Sequence, residues 1–339
     1  MGYSGFVPDR PPMLPAPRGR LTSALFDYWR TGQLPPDLPV DARAPLADED
    51  QQLALFCCYE LTYRGFDGLE DSLEWDACTL DVRRRLEAWF EGRLRADVVL
   101  PDATDPEASV DELLARPGAS ISAHLERAGT VDDLREALVL RSPYQAKEAD
   151  PHSWALPRLS GRVKRTLADV QSGEYGVGYD HSHAELFAMA LEAAGADATY
   201  GAHFDVVPGS WLASTNLISF FGLNRRLRGA LVGHLALYEL DSVVPSTRVV
   251  AACERLGVPD EVTRFYKVHV LADAEHERLA REGFLRAYPE DEPDQAEALI
   301  FGAAAAWHID RLGAVPAVAA WRSGRSALRS PFTELRAAS

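Results

Sequence analysis

His269, Asp273 and His276 have the spacing in this chain that most clearly suggests chemistry. At about 3.6 residues per helical turn, steps of four and three put two imidazoles and a carboxylate on one face. Val262, Phe265, Tyr266, Ala272 and Ala280 fall on the same stripe, so the pattern asks ionisable groups to enter the buried side of a helix. Buried ionisable groups need partners, and a metal ion suits imidazole and carboxylate together.

Other helical stripes carry the same kind of residue. Glu60 lies in line with Leu53, Phe56 and Cys57, and Glu174 follows Val163, Leu167 and Val170. His183 leads Leu186, Phe187, Ala190 and Leu191, while Glu239 follows Leu231, Val232 and Leu235. Taken singly, each has a plain explanation: a buried histidine is commonly a hydrogen-bonded core residue, and a glutamate near a helix end can turn to solvent. Four carboxylates converging without a cation would repel one another and be costly to desolvate. Oxygen and nitrogen donors without thiolate, set between facing helices, match di-iron or di-manganese sites of helical bundles. The paired Glu-x-x-His motifs of ferritin-like bundles are missing from the corresponding places.

Rival residues are weighed by register. His181 lies about 200° from His183 around a helix, so only one of them faces inward; Asp180 as cap and the apolar register favour His183. Glu185 and Glu275 point away from their stripes, toward solvent. His234, His308 and the His203/Asp205 pair are out of register and read as structural. Glu74 and Asp76 are the alternatives to Glu60.

The elements that must position these residues are helical. Pro259 and Asp260 mark the start of the helix carrying the three-residue motif, and Gly283 marks its end. Helices are also expected over Leu73–Val98, from Ser160 to Glu174, from Asp180 to Gly195, over Asn224–Leu240, from Ser246 to Leu256 and over Pro293–Leu312. Pro208–Gly222 reads as irregular or short helical. No strand alternation and no repeat is evident, so the fold expected is all-α, with about seven core helices. Residues 1–47 form a proline-rich arm, with nine of the chain's 22 prolines in the first fifty residues; such an arm cannot fold alone, and Leu25, Phe26, Tyr28 and Trp29 can hold it to the main domain. The helical domain spans 48–312, with an insertion or cover at about 101–160 and a weakly specified tail over 313–339.

Composition bounds the partners. Of 339 residues, 35 are Lys or Arg and 51 Asp or Glu, a net charge of -16 that argues against nucleic acid or an anionic membrane surface. The four cysteines show no metal-ribbon spacing, and adjacent Cys57 and Cys58 do not suit a disulfide framework, which points to a reducing cytoplasm. Neither a membrane span nor a signal segment is evident.

Four stretches carry a resemblance: CYELTYRGF around Glu60, GEYGVGYDHSHAELF around Glu174 and His183, RGALVGHLALYELDS around Glu239, and HVLADAEH. Over roughly residues 50–310 the chain resembles the haem-oxygenase-like di-iron oxidases, often labelled iron-containing redox enzymes. The resemblance implies a haem-oxygenase-like bundle in which Glu60, Glu174, His183, Glu239, His269, Asp273 and His276 bind two non-haem iron ions. It also implies O2 as co-substrate and oxidation of a small organic molecule by N-oxygenation, desaturation or oxidative C–C cleavage. An external electron donor and a homodimer fit this reading. Tyr63, Phe187, Trp211, Phe220 and Tyr266 are a candidate substrate lining or simply core aromatics, and Arg64 is either a substrate-carboxylate anchor or an ordinary ion-pair partner. The alternative is a helical protein that holds iron or a partner and turns nothing over. Haem oxygenase activity itself fits less well, because a haem's proximal histidine does not call for several buried carboxylates.

Overall fold

A computed structural model of the chain describes residues 10–330, apart from the side chains of residues 272–275. Every regular element among the described residues is helical. The fold is all-α, and none of the helices is long and apolar enough to cross a membrane.

Helix α1 (Arg20–Thr31) buries Leu25, Phe26, Tyr28 and Trp29. It begins at Gly19, which has no side chain to cap it, and Asp50 of α2 (Glu49–Glu60) does so from outside. The Asp50 carboxylate accepts from the Leu21 and Thr22 amides at 2.8 and 2.9 Å, satisfying two orphan donors at the positive end of the helix dipole. The helix expected from Leu73 is instead a 3₁₀ turn (Asp71–Trp75) followed by α3 (Ala77–Asp97), because Asp76 takes an extended conformation and caps α3 through Thr79 N.

Residues 101–160 hold more order than a cover. Helices α4 (Pro106–Ala115), α5 (Ile121–Ala128) and α6 (Val131–Gln145) each start at a capping residue, Asp105, Ser120 and Thr130. A turn then leads to the short α7 (Asp150–Ser153) through Ala149, whose φ of 77° is the one positive φ of a non-glycine among the described residues.

The remaining helices are α8 (Gly161–Glu174), α9 (His183–Ala193), α10 (Gly209–Leu223), α11 (Arg228–Leu240), α12 (Val243–Leu256), α13 (Asp260–Leu279), α14 (Ala287–Asp291) and α15 (Ala296–Arg322). Where an irregular or short helical segment was expected, α10 is a full helix buried over nearly its whole length, which suits a central helix rather than a surface one. The last helix runs past Leu312 and through Pro316, because Ala314, Ala317, Val318 and Trp321 continue its buried side.

Glycines set two close crossings. Gly233 of α11 lies against the Leu299 carbonyl and Gly302 of α15 against the Ala230 carbonyl, so a methyl at either position would overlap backbone. Gly283 does not end α13 as expected. The chain continues through a π-helical turn (Ala280–Arg286), and Gly283 is needed there for its contact with Thr166 of α8.

Candidate metal centre

Four elements deliver the chemistry-bearing side chains. Glu174 is the last residue of α8, after which Gly176 (φ 71°) and Gly178 (φ 87°) turn the chain back. Ser182, not Asp180, caps α9 by accepting from Glu185 N, while the Glu185 carboxylate accepts from Ser182 N at 2.7 Å, so Glu185 completes a capping box instead of standing in solvent. This box puts His183 at the first helical position, facing inward. Glu239 comes from the last turn of α11, and His269 and His276 from α13.

Two groups of donors result. In one, ligand atoms of Glu148, His183 and His269 lie within 4.8 Å of one another; in the other, those of Glu174, Glu239 and His276 do. Glu174 ties the groups together: its Oε2 is 2.6 Å from His183 Nδ1 and its Oε1 is 3.6 Å from His276 Nδ1. His276 Nδ1 is also 3.1 Å from Glu239 Oε2, and the rings of His183 and His269 stand 4.3 Å apart. His269 Nδ1 donates to the Phe265 carbonyl at 2.8 Å, which leaves Nε2 with the lone pair in the neutral ring and directs it toward Glu148 Oε2, 3.9 Å away. Gly173 makes room for this arrangement, since a Cβ there would come 3.0 Å from His276 Nε2.

Electrostatics separate the carboxyls. Burial pushes Glu148 above its ordinary value and outweighs the pull of His269. Burial acts on Glu174 in the same direction, but His183, His269 and His276 hold it below the usual carboxylate value. His183 is raised: burial alone would lower it, and Glu174 more than compensates.

Glu148 is the residue that sequence reasoning missed. It lies just beyond α6, in a stretch read as an irregular connection, although steps of three and four from Arg141 through Tyr144 continue the cavity-lining row of α6 to it. Its position is held from several sides. With the Gln145 amide nitrogen turned toward it, Gln145 donates to both Glu148 oxygens at 2.7 and 2.9 Å. Gln171 of α8 donates to the Ala149 carbonyl at 2.6 Å and to Ser153 Oγ at 2.8 Å, joining this turn to the helix that carries Glu174.

Glu60 does not join the two groups. Although completely buried, it forms an ion pair with Lys147 and accepts from Tyr200 Oη at 2.5 Å. Lys147 also sits over the Tyr63 ring, 4.1 Å from its centre, so this carboxylate already has its cation. Of its rivals, Asp76 caps α3 and Glu74 belongs to the preceding 3₁₀ turn. The side chain of Asp273, expected beside His269, lies outside the described residues.

The other expectations sort by contact. His234 pairs with His152 (Nδ1 to Nε2, 3.2 Å), His203 Nε2 donates to the Asp197 carbonyl at 2.8 Å, and Asp205 accepts from Ala16 N at 2.7 Å. Arg64 stacks on Tyr200, 3.9 Å from the ring centre. Trp211 and Tyr266 line a cavity of about 460 Å³ that Glu148, Glu174, Glu239 and His269 also border. Phe187 packs on Phe265, and Phe220 on Phe90 and Phe221, in the core.

The donors fit iron. They are carboxylate and imidazole without thiolate, the four cysteines being free and outside both groups. His183 Nδ1 is buried and close to Glu174 Oε2 without a properly directed hydrogen bond, the arrangement of two lone-pair donors that face a common centre. No curated protein matches the chain. A family model described as iron-containing redox enzyme matches residues 135–311, a stretch that includes Glu148, Glu174, His183, Glu239, His269 and His276, and the chain belongs to that family of iron-containing redox enzymes.

Proposed function

We propose that the chain is a non-haem di-iron oxidase that uses O2 to oxidise a small organic substrate. Glu148, His183 and His269 would hold one iron and Glu174, Glu239 and His276 the other, with Asp273, one turn beyond His269 on α13, as a further ligand. The observation that carries this reading is the pair of adjacent carboxylate–imidazole groups joined by Glu174. Iron bound there would supply the redox chemistry for reducing dioxygen; the protein supplies position, dryness and proton control.

Each residue has a task in this reading. The Phe265 carbonyl fixes the His269 tautomer, and Gln145 orients Glu148, as outer partners do at metal centres. Glu174, held ionised by three imidazoles, keeps the two groups in register, whereas Glu148, pushed toward its neutral form, can hold a proton at Oε1 or Oε2 until a cation displaces it. Trp211, Phe265 and Tyr266 wall the cavity with aromatic surface, which limits water beside the reacting substrate. N-oxygenation, desaturation and oxidative C–C cleavage are the candidate reactions, and an external donor would return the electrons.

Anaerobic Fe(II) titration followed by admission of O2 tests the proposal. Two iron ions per chain and O2 uptake that rises with a small-molecule substrate are expected, and Glu174→Ala should lose both. Two ions with substrate-independent O2 consumption would mark an iron-holding protein instead. Fewer than two ions in the parent would overturn the di-iron reading.

A further inference from the structure

We infer that the cavity takes a small organic acid whose carboxylate is held by Arg141. This rests on the oxidase reading for which end of the molecule reacts, but the binding itself is argued from the cavity.

Arg141 is partly buried on α6, and its guanidinium lies 5.7 Å from the centre of the Trp211 ring. Among the described residues it makes no hydrogen bond and no ion pair, although its charge acts on the Asp310 and Asp241 carboxyls. The other arginines around the cavity are engaged. Arg116 donates to the Val99 and Leu100 carbonyls and to Glu112. Arg248 lies 3.9 Å from Glu126, and Arg311 stacks on Trp307 at 3.7 Å while donating to its carbonyl. A guanidinium with five donors in a planar fork, at the wall of this cavity, calls for an acceptor of matching shape, and a carboxylate is that acceptor.

The acids on the same side of the cavity do not fill that role. Asp310 accepts from Tyr238 Oη at 3.0 Å, and burial pushes its carboxyl upward. Asp241 is pushed up to about 6 by burial and the neighbouring Asp310, and it makes no hydrogen bond to Arg141. The Arg141 charge lowers both carboxyls, but neither forms an ion pair or hydrogen bond with its guanidinium, whose donors stay open to a ligand.

Position sets the size of the ligand. Arg141, Tyr144 and Glu148 follow one another by three and four residues, so the guanidinium and the Glu148 carboxylate belong to opposite ends of one wall, with backbone positions roughly 10 Å apart at about 1.5 Å per residue. Tyr144, Trp211, Phe265 and Tyr266 line the space between. An acid with an apolar body a few carbons long would bury its chain on these rings and bring its far end to Glu148 and Glu239. A cavity of about 460 Å³ is in the usual range for such a molecule.

The test uses 4-phenylbutyrate and 4-phenylbutylamine, with binding to the full-length chain measured by calorimetry under anaerobic conditions, with and without Fe(II). The acid should bind at least tenfold more tightly than the amine. Arg141→Gln should lose at least tenfold in acid affinity while taking up the same amount of iron as the parent, and Arg141→Lys should recover part of the loss. Equal affinity for acid and amine, or acid binding unchanged in Arg141→Gln, would overturn the inference. If Arg141→Gln does not fold, the acid preference of the parent and the partial binding by Arg141→Lys decide the matter. Arg141-dependent acid binding in a chain that takes up no iron would retain the acid pocket and remove the oxidase reading, so the two fail separately.

Discussion

Lys147 and Glu60 form an ion pair with side-chain exposures of 1% and 0%, and Lys147 is the neighbour in sequence of Glu148. Two adjacent residues of one turn thus enter opposite environments: one neutralises a buried carboxylate, and the other faces the imidazoles of His183 and His269. Removing one partner of a buried pair leaves an uncompensated charge, which costs about 3–5 kcal/mol. Lys147→Met should therefore lower the unfolding free energy by that order, and Glu60→Gln should cost a comparable amount, because it leaves the buried Lys147 ammonium without its counter-charge. The double variant should cost less than the sum of the singles, since it removes both charges. Denaturant unfolding of the four proteins measures the coupling; additive costs would show that the pair contributes nothing to the fold.

Ala149 makes this turn possible at a backbone angle that a residue with Cβ seldom takes. Its φ of 77° costs about 1 kcal/mol or more, held in place by the Gln171 bond to its carbonyl and by the pair beside it. Ala149→Gly relieves that strain and should stabilise the chain by up to about 1 kcal/mol, after the entropy that glycine adds to the unfolded state. Ala149→Val should destabilise it by more than that. A lower midpoint for the glycine variant in denaturant unfolding would contradict the account.

Gly173 offers a separation of stability from metal affinity. Within the last turn of α8 alanine is still favoured over glycine, by less than about 1 kcal/mol, but here its methyl would stand 3.0 Å from His276 Nε2. Gly173→Ala should keep or raise the melting temperature while weakening Fe(II) binding roughly tenfold, the usual scale when a ligand's support is disturbed. Unchanged Fe(II) affinity by anaerobic titration would mean that the ring has room to move.

His152 and His234 predict an acid limb of stability. Burial pushes His152 down to about 4 and His234 well below its ordinary value, so both are neutral in the folded chain. An unfolded histidine binds a proton from about pH 6.5 downward, so the unfolded state gains protons first and stability falls as pH drops from about 6.5 to about 4. The contribution of His152 over that window is on the order of 3 kcal/mol. His152→Gln should flatten the pH profile of unfolding free energy between those limits, although it costs stability at pH 7 through the lost bond to His234. Parallel profiles for parent and variant would show that His152 titrates normally.

How far the site could be read from the chain depends on what periodicity reports. The inward stripes of α8, α9, α11 and α13 placed Glu174, His183, Glu239, His269 and His276 on buried faces, and these five meet in space. The stripe of α2 placed Glu60 on a buried face as well, and it is buried, yet it meets a lysine. Periodicity gives the depth of a side chain and not its neighbour, and Lys147 lay in a stretch without a clear pattern. The same stretch hid Glu148, because the row that leads to it, Arg141 and Tyr144, is polar or half-buried and does not stand out as an apolar stripe. Caps were legible in kind but not in position: Ser182 took the place of Asp180, and Asp50 capped α1 from another helix. The length of the central helix α10 was not legible because it is buried on nearly every side and shows no inward stripe.

Glu60 and Glu148 can therefore be told apart by experiment. Both are buried glutamates on the inner side of the bundle, but only Glu148 shares a ligand-distance group with His183 and His269. Glu148→Ala removes the one carboxylate of that group among the described residues and should reduce the iron bound from two ions to one, with a change in unfolding free energy that disappears when both proteins are compared without metal. Glu60→Gln should keep two ions, because its partner is an ammonium group that needs no metal, and its cost should be the same with and without iron. Iron content after anaerobic loading and gel filtration, together with unfolding in the presence and absence of Fe(II), distinguishes the two outcomes. The reverse pattern, iron lost with Glu60→Gln and retained with Glu148→Ala, would move the first group of ligands to the Lys147 side of the turn.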